Sequence, residues 1–499
     1  MDPRIVTYTW TALAVYILIV LFLGYLGAKR TTSLVDFTIG GARLGPYLTG
    51  LAFAGTFFSA ATFVGYVGWA YAWGYSALWV FLAIFGGSTI GLLTFARKAR
   101  EANVRLKAQS LADWLGEYYG SDFLRLGTAF ILIFNLFYVG AQLSAGAYMF
   151  NTLIGLPYNV GLALITIIVT AYVFAGGTFA DVYTDAFQAV LMVLMGVIVF
   201  FSGLTLIPEG GFGTLFSETT KALQVAGPEL TAVFNPKSAH FYALSSVIGV
   251  WIIEFAFAAQ PQLFNKVLAI RNASDLRKMI LTYLVCAFLM MLVIFSGFYA
   301  RLAGISPKVP DHTIYQYVAN VFPPVVSALL AMVILSAALS TTDGIIVVLA
   351  TVVGYDIYRK FLVRRGILKV SPEEADKKAL LISRITTGFV GLVAALLVIK
   401  PPAFLGTFIW FGISGIAAGT LGPLIIGIFM PKRVTAQGAI ISMISGVLAY
   451  LIILLGKLEK SVMAAGAWAT LIGIAVMLIC TLAFPRKADT ATAGCPASR

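Results

Sequence analysis

Ala337, Ser340 and Thr341 stand at i, i+3 and i+4 in an apolar run, and on a helix that spacing gathers one carbonyl and two hydroxyls on a single face. Hard cations take oxygen ligands of this kind. Serine and threonine in membrane helices also bond the carbonyl a turn back or join helices together, so the spacing alone leaves both readings open. A second oxygen-rich stretch runs from Asp36 to Gly68, DFTIGGARLGPYLTGLAFAGTFFSAATFVGYVG. It is a loop leading into an apolar helix interrupted by Gly50, Gly55, Gly65 and Gly68, with hydroxyls at Thr56, Ser59 and Thr62. Unpaired backbone costs several kcal/mol in hydrocarbon, so an apolar helix exposes its carbonyls only where it lines a site. The stretch WIIEFAFAAQPQLFNK at 251–266 is interrupted as well, because Pro261 removes a backbone donor.

The elements that hold these residues are membrane helices. The chain has 499 residues, 60% of them hydrophobic and 11% charged, with mean hydropathy +0.94, well beyond the composition of a soluble domain. Apolar stretches of about 20 residues fall at 5–28, 46–72, 76–96, 124–151, 158–176, 181–206, 241–263, 279–302, 322–354, 380–399, 403–430, 435–456 and 463–484, which predicts thirteen spans. The first is longer than a signal-peptide core and ends in Lys29-Arg30 instead of a small-residue cleavage site, so it reads as a membrane helix.

Lys/Arg clusters at Arg97–Lys107, Lys266–Lys278, Arg359–Lys378 and Arg486-Lys487 place those loops in the cytoplasm, the N-terminus outside and the C-terminus inside. The net charge of +13 then reflects topology and anionic lipid contact, and no nucleic-acid partner is expected. Cys286, Cys480 and Cys495 form no paired framework. His240 and His312 sit at predicted outer helix ends and read as solvated interface residues.

The expected organisation is one transmembrane domain over 1–484. It has a peripheral helix at 1–30, a core at about 46–430, two peripheral helices at 435–484 and a disordered cytoplasmic tail at 485–499. Within the outer loop Pro208–Ala239 a short amphipathic piece is expected. The inner segments SLADWLGEYY and SPEEADKKALL each open with a capping serine. Setting the first span aside, the next five begin inside and the following five outside, and each block opens with a broken helix. That is the pattern of a 5+5 inverted repeat with its site at the membrane midplane.

The chain resembles the sodium/solute symporter family, whose members carry proline, sugars, sialic acid, pantothenate and monocarboxylates on the LeuT-type fold. The resemblance runs from about Lys29 to Phe484. It rests on Gly40-Gly41-Ala42-Arg43-Leu44-Gly45 leading to Ser59-Ala60-Ala61-Thr62-Phe63-Val64-Gly65; on Gly176-Gly177 followed by Thr184-Asp185-Ala186-Phe187-Gln188; on Gln260-Pro261-Gln262; and on Ala337 to Asp343 with Tyr355-Asp356-Ile357-Tyr358-Arg359. It implies a sodium ion as co-substrate, held by Ala337, Ser340 and Thr341 together with carbonyls of Gly55 and Phe58 in the first broken helix.

Four carboxylates fall within predicted spans, where a charge costs about 2.5–3.5 kcal/mol at the centre. The resemblance gives Asp185 a place on the ion exit route or in a second cation site. Asp343-Gly344 stand where some members have hydroxyls of a second sodium site, and a carboxylate there would serve a cation too. Asp356 reads as an interfacial ion pair with Arg359. Glu254 lies about 20 Å inward of His240 at 1.5 Å per residue, where it either carries a proton or stays ionised beside a cation.

The expected substrate lining is Phe57, Thr62, Tyr66, Tyr138, Gln142, Trp251, Glu254, Phe255, Gln260 and Gln262. Phe57 occupies the position of an aspartate that the proline carriers require. The stretch FSAATFVGYVGWAYAWG looks most like the monocarboxylate branch. The function expected is sodium-coupled symport of a small organic acid by a plasma-membrane protein acting as a monomer. Proton-coupled symport on the same fold and sodium/proline symport are the alternatives, and a transporter-like sensor is the remote one. No P-loop, metal cluster or nucleophile constellation points to an enzyme.

Overall fold

The computed structural model describes residues 3–207, 209–400 and 405–484. Among these every regular element is helical, and the sole extended pairing is a parallel bridge between Leu44 and Ile270. Ten helices are long and apolar enough to cross a bilayer, or eleven if the bent pair Leu244–Phe257 and Pro261–Ala269 counts as one span. The number thirteen is therefore not established by length and composition. Two of the ten, Ala61–Leu106 and Tyr158–Leu206, run 46 and 49 residues, over twice the roughly 20 that a bilayer needs. Each contains a non-helical glycine, Gly74 (φ 64°, ψ −145°) and Gly177 (φ 50°, ψ −140°). Both glycines also touch foreign backbone: a Cβ on Gly74 would stand 1.9 Å from the Leu230 carbonyl oxygen, and one on Gly177 2.7 Å from that of Phe37.

Both expected broken helices are present. The first runs Pro46–Phe57, with Pro46 at its first turn where the missing N–H is no loss. At Phe58 the backbone turns extended (φ −87°, ψ 96°), and the chain resumes through a wide turn, Ala61–Tyr66, into Val67–Trp73. The second runs Leu244–Phe257, breaks at Ala258–Gln260 and resumes at Pro261–Ala269 with a 41° bend.

The helix Pro324–Thr351 carries Ala337, Ser340 and Thr341. It is apolar on every side, the pattern of a helix enclosed by others, and 83% of its apolar window is buried against 28% for Pro3–Arg30. The latter leans on Tyr158–Ser202 through Gly24 and Gly27, where a Cβ on Gly27 would meet the Ala180 nitrogen at 2.4 Å. Ser110 and Ser371 cap their helices as expected, accepting from the Asp113 and Glu374 amides, and the outer loop holds the helix Phe212–Ala226. The tail at 485–499 lies outside the described residues.

Two charged-residue assignments differ. Asp356 is fully buried and accepts from the Ser110 hydroxyl at 2.8 and 2.9 Å, while Arg359 pairs instead with Asp376 at 2.5 Å. Ser110 thus caps one helix and satisfies a carboxylate of another. His240 is buried, its Nδ1 2.8 Å from the Ser461 hydroxyl and its ring 4.7 Å from that of Trp69. Burial lowers the pKa of its imidazole to about 3, so it is a neutral packing residue and not a solvated one.

Candidate functional site

The gap in the first broken helix faces the hydroxyl helix. Ser340 Oγ donates to the Gly55 carbonyl at 2.8 Å and Thr341 Oγ1 to the Thr56 carbonyl at 2.9 Å. Ser340 Oγ is also 3.4 Å from the Ala337 carbonyl of its own helix. Gly55 also lets the broken helix approach the helix Tyr158–Ser202 on its other side, because a Cβ there would stand 2.7 Å from the Asp185 carbonyl oxygen. The sequence reading thus brings Gly55, Ala337, Ser340 and Thr341 together. The Thr341 hydroxyl meets the carbonyl of Thr56, a residue the reading left out, and not that of Phe58.

The broken backbone is supported by side chains. Gln142 Oε1 accepts from the Ala60 amide at 2.9 Å, and Ser59 Oγ from the Ala61 amide at 3.0 Å. The buried Tyr138 hydroxyl faces Ser59 and Thr341 of the same two helices. At the second break Gln260 Nε2 donates to the Ile413 carbonyl at 3.0 Å.

Aromatic rings fill the space between the breaks. Phe57 meets Phe257 edge-on at 4.7 Å and Tyr283 at 5.2 Å. Phe257 in turn lies 5.7 Å from Trp410 and 6.5 Å from Tyr138, and Tyr66 lies 5.0 Å from Trp69. Thr62 is buried in the resumed turn. Trp251 and Phe255 are half-buried and pack on Gly86 and Gly91 of the neighbouring helix, away from this cluster. Glu254, at i+3 from Trp251, shares their face and meets Gly87 of the same neighbour through its Cβ.

Several buried polar atoms at the breaks have no hydrogen-bond partner among the described residues: both oxygens of Glu254, Oε1 of Gln260, both amide atoms of Gln262 and Nε2 of Gln142. Unpaired polar groups at such depth are costly, and their concentration at two helix breaks is what a polar ligand would satisfy.

Asp185 and Asp343 sit deeper in a charge network than the sequence suggested. Lys266 Nζ bonds Asp181 Oδ2 at 2.6 Å and Asp185 Oδ2 at 2.8 Å, and Thr56 Oγ1 donates to Asp185 Oδ2 at 2.5 Å. Asp343 accepts from Tyr172, Thr184 and the Gly344 amide. Lys266 was grouped with the cytoplasmic loop cluster, yet it is 2% exposed on the second broken helix. Asp181 was missed, although its i, i+4 spacing to Asp185 signals one shared face.

A family model described as Sodium:solute symporter family matches residues 37–446. The osmoregulated proline transporter OpuE of Bacillus subtilis is 26% identical over 465 residues, covering 90% of this chain and 89% of that protein. The high-affinity proline transporter PutP of the same species is 26% identical over 446 residues, covering 85% and 88%. Among solved structures, the substrate-bound outward-open state of a Na+-coupled sialic acid symporter superposes with a TM-score of 0.78 at 18% identity, over 96% of this chain and 99% of that one. Mhp1, a nucleobase-cation-symport-1 family transporter in a closed conformation, gives 0.53 at 15% identity over 90% and 95%. The fold is the LeuT-type fold expected from the sequence.

Proposed function

The chain belongs to the sodium:solute symporter family, and we propose that it moves a small carboxylate-bearing solute into the cell together with one sodium ion, by alternating access. It is a multi-pass membrane transporter and not an enzyme. The observation that carries the sodium half is the meeting of the Ser340 hydroxyl with the Gly55 carbonyl at 2.8 Å. In this reading sodium lies among the Ser340 and Thr341 hydroxyls and the carbonyls of Ala337, Gly55 and Phe58, with the Thr56 carbonyl beside them. The ion replaces hydrogen bonds that otherwise join the two helices, so its binding fixes the broken helix, and the ordered break completes the solute pocket. That is positive coupling of two ligands through one conformation. A tenfold sodium gradient plus 100 mV supplies about 3.7 kcal/mol per ion, enough for roughly 500-fold accumulation.

For the solute, a zwitterionic amino acid such as proline is the first reading. The relatives named above are proline transporters, and Glu254 offers a buried carboxylate without a partner that suits a substrate ammonium. Phe57 stands where the proline carriers have an aspartate, and Glu254 supplies that charge from the second broken helix. A monocarboxylate is the second reading, favoured by the aromatic faces of Phe57, Tyr138, Phe257 and Trp410. The plasma membrane, an outside N-terminus, a cytoplasmic C-terminus and a monomeric unit with its core at about 46–430 complete the proposal.

Uptake into proteoliposomes, with and without an inward sodium gradient, tests it on proline, acetate, pyruvate, lactate and pantothenate. Sodium-driven proline uptake is the expected result. Uptake driven by pH and indifferent to sodium would choose proton coupling instead.

A further inference from the structure

Asp181, Asp185 and Asp343 each turn a carboxylate oxygen toward a common centre, and the three oxygens lie within 4.8 Å of one another. Hard cations such as calcium hold oxygen ligands at about 2.3–2.6 Å, so one ion at that centre would reach all three. The chain's own cation stands at the Asp181–Asp185 edge of this group, with no ion pair to Asp343 among the described residues. The Lys266 ammonium bonds Asp181 at 2.6 Å and Asp185 at 2.8 Å, with all four residues at least nine-tenths buried. The remaining Oδ1 atoms of Asp181 and Asp185 have no hydrogen-bond partner among the described residues. Gly344 keeps the space open, since a Cβ there would come within 3.1 Å of Asp181 Oδ1.

We propose that the Lys266 ammonium is a tethered cation occupying a position that would otherwise take a second transported ion, so that the carrier binds one sodium per cycle. Buried carboxylates need a neighbouring positive charge, and a lysine on the same chain supplies it without drawing on any gradient. Thr56 joins this cluster to the first break: its hydroxyl donates to Asp185 while its carbonyl accepts from Thr341. Lys266 therefore supports the hydroxyl pair in the way a second bound ion would. It rises from the C-terminal half of the second broken helix, and its two partners follow the Gly177 bend, so one ammonium ties both irregular helices together.

The inference rests on the sodium reading above, and the test separates the two. Purified full-length protein in detergent is titrated with radioactive sodium, and the ions bound at saturation and the Hill coefficient are read. The wild type is expected to bind one ion without cooperativity. Lys266→Met is expected to bind two, with a Hill coefficient above that of the wild type. Lys266→Arg and the double variant Lys266→Met/Asp185→Asn are expected to return to one. Two ions in the wild type, or one ion in a Lys266→Met protein that elutes and melts as a folded carrier, would overturn the proposal. If Lys266→Met does not fold, the wild-type count still decides. No saturable sodium at all would remove the sodium reading itself, and this inference with it.

Discussion

Thr341 and Thr56, 285 residues apart, are joined by a 2.9 Å hydrogen bond from a side chain of one helix to the broken backbone of another. Backbone freed at a helix break must find a partner in a dry interior. Here the partner comes from the helix whose own carbonyls are otherwise engaged, so the two helices hold each other only while the break persists.

Removing either hydroxyl should weaken sodium binding. Ser340→Ala or Thr341→Ala deletes one of about five oxygen ligands, and a loss on the order of 1.4–2.8 kcal/mol is a 10- to 100-fold rise in the sodium concentration for half-maximal uptake. Thr341→Ser keeps the oxygen and is expected to remain near the wild type. The measurement is uptake against sodium concentration; half-saturation unmoved in both alanine variants would take these residues out of the site.

Glu254→Gln keeps the shape of the side chain and removes its charge. If the carboxylate pairs with a substrate ammonium, proline uptake at fixed low concentration falls at least tenfold, about 1.4 kcal/mol or more, while sodium binding to the empty carrier stays as it was. A variant that transports proline normally would shift the choice toward a monocarboxylate, which brings no ammonium to the site.

The broken helices, the hydroxyl face and the fold were legible because each leaves a local mark: glycines and Pro261 inside apolar runs, hydroxyls one turn apart, capping serines before acids. Lys266 was not, since a lysine near the end of an apolar stretch reads as the start of a basic loop, and its partners Asp181 and Asp185 lie 85 and 81 residues away. Asp356 was misassigned for the same reason: Arg359 is close in sequence, but Ser110, 246 residues distant, reaches it in space. Trp251 and Phe255 fit a lining by residue type, but the glycines they pack on, Gly86 and Gly91, lie far away in the sequence and give no local mark of that contact.

Ser110 both caps its helix and satisfies Asp356, so one substitution costs two interactions. Ser110→Ala removes the cap, worth about 1 kcal/mol, and leaves a buried carboxylate unpaired at about 1–3 kcal/mol more. The expected outcome is a clearly lowered thermal transition in detergent. Ser110→Thr, which keeps the hydroxyl, is expected to recover most of it, and an alanine variant as stable as the wild type would mean that Asp356 finds another donor.

Asp311 gives the fold a pH dependence of defined sign. It lies in the short turn Pro310–His312, outside the membrane spans, where burial lifts its pKa from 3.8 to about 7 against a single backbone hydrogen bond from Leu405 at 2.8 Å. Because the folded value is the higher one, the unfolded chain ionises first, between about pH 4 and 7, and stability is lost across that window as pH rises. His312 beside it is shifted down by burial and acts in the opposite sense, losing stability on acidification. Asp311→Asn removes the first effect and leaves the second, while its amide oxygen still accepts from Leu405. Thermal transitions measured from pH 5 to pH 8 should therefore fall in the wild type relative to the variant, reporting a stability loss on the order of 2–4 kcal/mol at most. Parallel pH profiles for the two proteins would show that Asp311 is ionised in the folded state throughout, and that the turn tolerates its charge.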